Sequence, residues 1–126
     1  MTRIHDSRLD SLVEMSARYL ERLFHRFHRK YTPEPNTGCL LWTAGVNQTG
    51  YGQIGVVVAG VYGPRAAHRV AWLLEGRTVP SDLVLDHLCR VRSCVHVAHL
   101  EVVTQAENIK RGLLFASRQP ATDGTS

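Results

Sequence analysis

The sequence predicts a small α+β protein, and three observations carry that prediction. Apolar residues recur at three- and four-residue steps near the N-terminus, and short strand-like runs fill the middle of the chain. The C-terminal third then follows a strand–loop–strand–helix order, with cysteines and histidines crowded into its loop. With 126 residues the chain can bury one modest core. It divides into an N-terminal helix and linker over 1–36, one domain over 37–115, and a polar tail over 116–126 expected to be disordered.

Leu9, Leu12, Val13, Leu20, Leu23 and Phe27 form one stripe of an amphipathic helix running from about Arg8 to Lys30. Its basic last turns, His25 to Lys30, complement the negative end of the helix dipole and could also touch phosphate. Pro33 and Pro35 stop it, and Asn36-Thr37-Gly38 makes a turn. Such a helix either packs on the core of its own chain or joins two subunits into a homodimer. An upstream β-hairpin follows. Cys39 to Trp42 reads as one strand, Gly45 to Gly50 as turn chemistry, Tyr51 to Val58 as a second strand, and Ala59-Gly60 as another turn. Ala66 to Glu75 fits a short helix closed by Gly76, offering Val70, Ala71, Leu73 and Leu74 to the core. Leu83-Val84-Leu85 is a short apolar strand that delivers Asp86-His87 at its end. Leu100 to Thr104 is a further strand, and Thr104 with Glu107 forms a capping box opening a helix through about Phe115.

The formal charge is +4 and the pI about 9.3, a basic excess that suits a polyanionic partner. Thirteen of the fifteen cations are arginine, whose planar fork grips phosphate oxygens in pairs, although a high-GC genome gives the same bias. No run of eighteen apolar residues occurs, and the N-terminus lacks a secretory signal. An intracellular protein with no membrane partner is the expectation.

Chemistry concentrates in one stretch. Cys89 to His99 has no periodicity and is too polar for a core strand, so something other than packing must order it. Cys89-x4-Cys94-x4-His99 has the residue types and spacing of a metal site. Cys39 is the one cysteine left to be the fourth ligand of a tetrahedral zinc. The alternative is three buried, inert cysteines. Just before the loop, His87 could take a proton from water near neutral pH, and the adjacent Asp86 could hold a divalent cation. The Asn108 side chain could complete that hard-cation site near a helix N-terminus. Taken alone, each of these two features also fits an ordinary strand-end or helix residue.

The joint pattern of strand, Asp86-His87, metal loop, strand and helix with Asn108 resembles the ββα-metal, or HNH, nuclease motif. His87-Leu88-Cys89, Cys94, His99-Leu100 and Asn108 are similar to the spacing of His-Cys box homing endonucleases. A longer stretch resembles phage and bacterial HNH endonucleases. It includes Gly38-Cys39-Leu40-Leu41-Trp42, Gly50-Tyr51-Gly52, Ala67-His68-Arg69-Val70-Ala71-Trp72, Val84-Leu85-Asp86-His87-Leu88-Cys89 and Cys94 to Glu101, then Glu107-Asn108. The resemblance covers roughly Gly38 to Gly112.

It implies an endonuclease that hydrolyses phosphodiester bonds of double-stranded DNA, with its active site between Leu83 and Gly112. By the same resemblance His87 is the general base, and Asp86 with Asn108 holds Mg²⁺ or a similar divalent cation. Cys39, Cys89, Cys94 and His99 bind a structural Zn²⁺, which with four protein ligands has no open position for water. His68 and Arg69 fall near the active site, where Arg69 could clamp the scissile phosphate, while Arg65, Arg90, Arg92, Lys110 and Arg111 could follow the DNA backbone. One departure stands out. Relatives read Cys-Val-Asn-Pro where this chain has Cys94-Val95-His96-Val97. His96 could alter the loop or replace His99 as a ligand, and a zinc-stabilised DNA-binding module without catalysis is the alternative function.

Overall fold

The computed structural model describes residues 16–58 and 60–117. Its elements are α1 (Ala17–Phe27), β1 (Tyr31–Pro33), β2 (Leu40–Trp42), β3 (Gln53–Val58), β4 (Val61–Ala66), α2 (Ala67–Leu74), β5 (Leu83–His87), a 3-10 turn (Val97–His99), β6 (Leu100–Thr104) and α3 (Gln105–Ser117). The strands come in three antiparallel pairs, β1 with β2, β3 with β4 and β5 with β6. The fold is α+β, as expected.

Helix α1 is capped by Ser16, whose Oγ accepts the Tyr19 N–H at 3.1 Å. Its stripe points inward. Leu23 and Phe27 are buried with Trp42, Ile54, Val56, Val58, Val70 and Ala71 in the main core, so this part of the helix packs on its own chain. Leu9, Leu12 and Val13 lie outside the described residues. The helix ends at Phe27 rather than near Lys30, and the His28 N–H closes its last turn on the Phe24 carbonyl at 3.0 Å. Pro33, expected only as a stop signal, is the last residue of β1 and faces Leu40 of β2. Proline is tolerated there because the strand lies at a sheet edge.

Along β3 the apolar residues alternate as a half-buried strand requires, with Ile54, Val56 and Val58 inside. Helix α1 covers its free edge: Arg26 Nη2 donates to the Gly55 carbonyl, and the Val57 N–H donates to Tyr19 Oη, both at 2.9 Å. The strand begins against Trp42, whose indole Nε1 donates to the Gln53 carbonyl at 3.0 Å. A Cβ at Gly52 would stand 2.6 Å from that indole, so only glycine allows the approach. Strand β4 was not anticipated from the sequence. It carries Pro64 opposite Gly55, again in an edge strand.

Helix α2 is buried nearly all round, with Ala67, His68, Val70, Ala71, Trp72 and Leu73 all inside. Gly76, at φ 80°, supports its close. Trp72, Val79, Leu85 and Leu100 make a second apolar cluster that fastens β5 and β6 to α2. The β5–β6 register sets Asp86 opposite Glu101 and His87 opposite Leu100. At the start of α3 the Glu107 N–H donates to Thr104 Oγ1 at 3.0 Å. The reciprocal half of the expected capping box is missing, because Glu107 binds Arg111 instead. The helix continues past Phe115 to Ser117, while residues 118–126 of the expected tail lie outside the described ones. No described helix is long and apolar enough to cross a membrane.

Candidate active site and metal centre

Backbone pairing gathers the cysteines. The Trp42 N–H donates to the Ser93 carbonyl at 2.9 Å and the Val95 N–H to the Leu40 carbonyl at 2.8 Å. Residues 93–95 therefore extend the edge of β2 and bring Cys94 beside Cys39, while Val95 anchors the loop in the main core. At the loop's other end, the Leu88 N–H donates to the His99 carbonyl at 2.7 Å and draws Cys89 in.

The ligand atoms of Cys39, Cys89, Cys94 and His99 all lie within 4.8 Å of one another. His99 Nδ1 stands 3.6 Å from Cys39 Sγ and 3.5 Å from Cys94 Sγ. Donors around a tetrahedral zinc, with Zn–S about 2.3 Å and Zn–N about 2.0 Å, stand about 3.5–3.8 Å apart. The four residues could therefore hold a zinc ion. Burial pushes the Cys94 thiol up to about 12, and burial also raises Cys89. Thiols so placed become thiolates near neutral pH when a cation binds the sulfur directly. The His96 N–H, 3.5 Å from Cys94 Sγ, favours negative charge there.

His96 does not displace His99 from this cluster. Its Nδ1 accepts the Ala98 N–H at 3.2 Å, capping the 3-10 turn, and its ring stacks on that of His99 at 4.7 Å. An asparagine oxygen there could accept the same bond to residue i+2. The departure from the family pattern thus keeps a local capping interaction.

Beside the cluster lies a cleft of about 360 Å³, into which β5, the loop and α3 send Asp86, His87, Arg90, Arg92 and Asn108. His87 is 5% exposed. Its Nε2 lies 3.0 Å from the Cys94 carbonyl. A carbonyl only accepts, so Nε2 carries the proton and the lone pair of the neutral ring sits on Nδ1. Burial, the largest influence, lowers the His87 pKa; the Cys94 carbonyl and Asp86 oppose it, and Arg90 and Arg92 add to it. The loop that frames the Cys/His cluster thus also fixes the tautomer of this histidine.

Asp86, also 5% exposed, is held by arginines. Arg90 reaches both oxygens, Nη1 to Oδ1 at 3.1 Å and Nη2 to Oδ2 at 3.2 Å, and Arg111 Nη1 reaches Oδ2 at 3.2 Å. Asn108 lines the same cleft from α3. A carboxylate and an amide oxygen are hard donors of the kind a divalent cation takes, so the donor chemistry fits, although both Asp86 oxygens have guanidinium partners.

His68 does not line this cleft, but its ring packs on that of His87 at 4.5 Å. Its Nδ1 is the one buried side-chain nitrogen or oxygen among the described residues without a hydrogen-bond partner. Burial, with the nearby His87 and Arg69 charges adding to it, holds the His68 pKa well below the usual range. Tyr51 completes the aromatic group, 5.4 Å from His68 and 5.8 Å from His87. The sequence reading did not select Tyr51 as a site residue; its place between Gly50 and Gly52, where chain and ring approach neighbours closely, was the available signal.

The remaining arginines are dispersed. Arg92 lies over Tyr51, 5.3 Å from the ring centre, and donates to the Thr49 carbonyl at 2.8 Å. Arg65 Nη1 bonds the Pro64 carbonyl, Arg69 is partly buried on α2, and Lys110 is exposed on α3. Of the six cations expected along DNA, Arg90 and Arg92 line the cleft itself.

Comparison with known proteins fits this geometry. Residues 65–110 match the HNH endonuclease family model, a span running from the end of β4 through both β-strands of the site to Asn108. Neither curated proteins nor solved structures give a match. The family's reaction implies a nucleic-acid partner. The segment matched by the HNH endonuclease family model, 65–110, holds every cleft residue named above except Tyr51.

Proposed function

We propose that this protein is a metal-dependent endonuclease that hydrolyses phosphodiester bonds of double-stranded DNA, with His87 as the general base. The observation that carries the reading is the 3.0 Å contact from His87 Nε2 to the Cys94 carbonyl. It leaves Nδ1 as the basic atom of a histidine that burial keeps neutral, within a cleft shared with Asp86 and Asn108. In the step itself, Nδ1 takes a proton from water, the water oxygen bonds phosphorus, and the bond from phosphorus to the leaving sugar oxygen breaks. A divalent cation held by Asp86 and Asn108, Mg²⁺ or a similar ion, would supply charge stabilisation to the phosphate and the leaving oxygen. Arg90 and Arg92 bind the phosphate backbone at the cleft, with Arg65, Arg69, Lys110 and Arg111 as outer contacts. His68 positions the His87 ring by packing on it. Zinc on Cys39, Cys89, Cys94 and His99 orders the loop that presents the Cys94 carbonyl, a structural role suited to four protein ligands.

Replacing His87 with Ala is expected to reduce plasmid cutting by about 10²–10⁴-fold while leaving zinc content unchanged, with only the modest loss of stability that deleting one buried hydrogen bond brings. Full cutting by that variant removes His87 as the base. The engaged oxygens of Asp86 favour a second reading, a zinc-stabilised DNA-binding module without catalysis. Wild-type protein that binds duplex in a salt-sensitive way, yet cuts no plasmid at any Mg²⁺ or Mn²⁺ concentration, would establish it. A homodimer would suit a two-fold symmetric target, and sedimentation of the full chain with and without duplex tests it.

A further inference from the structure

Asp86 is gripped by arginine at the place where the proposed function asks it to hold a cation, and the inference below rests on that reading of Asp86. Two guanidinium groups meet the carboxylate, and they differ. Arg111 is also tied to Glu101 at 2.8 Å and to Glu107 at 2.9 Å, so it keeps partners without Asp86. Among the described residues, Asp86 is the sole ion-pair partner of Arg90, through two parallel bonds at 3.1 and 3.2 Å. Arg90 is also the only described residue other than glycine with a positive φ, at 62°. Few side-chain-bearing residues adopt this conformation. Here it belongs to the turn that closes Arg90 N–H onto the His87 carbonyl at 3.2 Å and folds the guanidinium back over Asp86.

A guanidinium fork fits a carboxylate and a phosphate with the same pair of parallel bonds. It cannot hold both at once. A divalent cation on Asp86 would in turn face the positive charge of Arg90 at close range. Around this exchange stand Arg92, Arg111, Glu101, Glu107 and His87, and of these Arg92 shares the cleft with Arg90 without touching Asp86.

We propose that Arg90 couples the binding of DNA to the binding of the catalytic cation. A backbone phosphate draws the Arg90 fork off Asp86, and the carboxylate so released takes the divalent ion. Charges balance in the exchange: guanidinium pairs with phosphate, and carboxylate pairs with cation. Each ligand then tightens the other by the same factor, as linkage requires. The device keeps cation affinity low until a phosphate occupies the cleft.

Mn²⁺ binding tests this without reference to cutting. The full chain loaded with one equivalent of zinc is titrated with Mn²⁺, and free Mn²⁺ is read by electron paramagnetic resonance. Arg90→Gln is expected to bind Mn²⁺ about tenfold tighter than wild type when no DNA is present, within the usual span of site–site coupling. Arg90→Lys, which keeps the charge and loses the fork, should fall between the two and serves if the Gln variant does not fold. In a His87→Ala background, where no cutting intervenes, a short duplex should tighten Mn²⁺ binding. With Arg90→Gln added, the duplex effect should shrink to what the phosphate gives the ion directly. Equal or weaker Mn²⁺ binding by the Arg90 variants, with Asp86→Asn weakened, overturns the coupling and leaves Asp86 a ligand. Unchanged binding by Asp86→Asn takes down the ligand reading and the coupling with it.

Discussion

The Cys/His cluster and the cleft share a loop, yet the two regions are built on opposite terms. At the cluster everything agrees: backbone ladders, the buried Val95 and the His96 cap all set the four ligand atoms within 4.8 Å of one another. In and behind the cleft the parts conflict. His68 buries a nitrogen without a partner, the His68 and His87 rings meet at a tilt, Arg90 takes a left-handed backbone, and Asp86 is shared between two arginines. Local inconsistency of this kind persists where surrounding structure enforces it, and it concentrates at sites that act on ligands. The cluster therefore braces the fold, and the strained groups gather around the cleft.

The comparison breaks most visibly at the cluster. Chelation of zinc, or Cys94→Ser, is expected to lower stability by about 4 kcal/mol or more, the exceptional range reached when a metal is lost. Zinc content by elemental analysis and the thermal midpoint check it together. A Cys94→Ser protein that melts like wild type would show that packing alone orders the loop. The contrasting result is that of His87→Ala, one residue from Asp86, which should lose cutting, retain zinc and give up much less stability than Cys94→Ser.

His68 gives the next largest effect, with a sign that distinguishes the regions. An unpartnered buried nitrogen costs about 1–3 kcal/mol, so His68→Phe, which keeps a ring against His87, should be as stable as wild type or more so at neutral pH. It should nevertheless cut less. Acid sharpens the test. The His68 pKa is depressed by burial, so below about pH 6.5 the unfolded chain binds a proton the folded chain refuses. Stability then falls as pH falls, by up to about 1.4 kcal/mol per unit, until the folded imidazole itself takes a proton. His87, also depressed by burial, adds to the slope in both proteins. Urea unfolding between pH 7 and 5 should show a shallower loss for His68→Phe than for wild type; equal slopes would mean that His68 titrates normally.

Much of the cluster and of the strand that ends in Asp86-His87 was legible in the sequence because local chemistry set them. Cys89, Cys94 and His99 had metal spacing, Asp86-His87 ended an apolar run, and Thr104 could only cap what followed. What escaped the reading depends on partners distant in sequence. β1 is a strand only because β2 lies beside it, and a proline at its end reads locally as a stop. β4 carries Gly63-Pro64, which argues against a strand unless the segment lies at a sheet edge. Nothing in the letters around Arg90 signals a positive φ, since glycine or asparagine would be the usual residue, and without that turn its grip on Asp86 cannot be foreseen.

Arg111 offers the smallest effect and the finest test of the contrast. It joins Asp86, Glu101 and Glu107 across β5, β6 and α3, which looks like a brace comparable to the metal cluster. Glu101 and Glu107 are 48% and 42% exposed, however, and pairs so placed are screened by water and salt. Arg111→Gln should therefore leave the thermal midpoint nearly unchanged at physiological salt. Its effect on Mn²⁺ should also be smaller than that of Arg90→Gln, because Arg90 still covers both Asp86 oxygens when Arg111 is gone. A large drop in stability would make the charged network a second structural brace and erase the division between the two regions. A Mn²⁺ affinity raised as much as by Arg90→Gln would show that total positive charge, and not the Arg90 fork, controls the carboxylate.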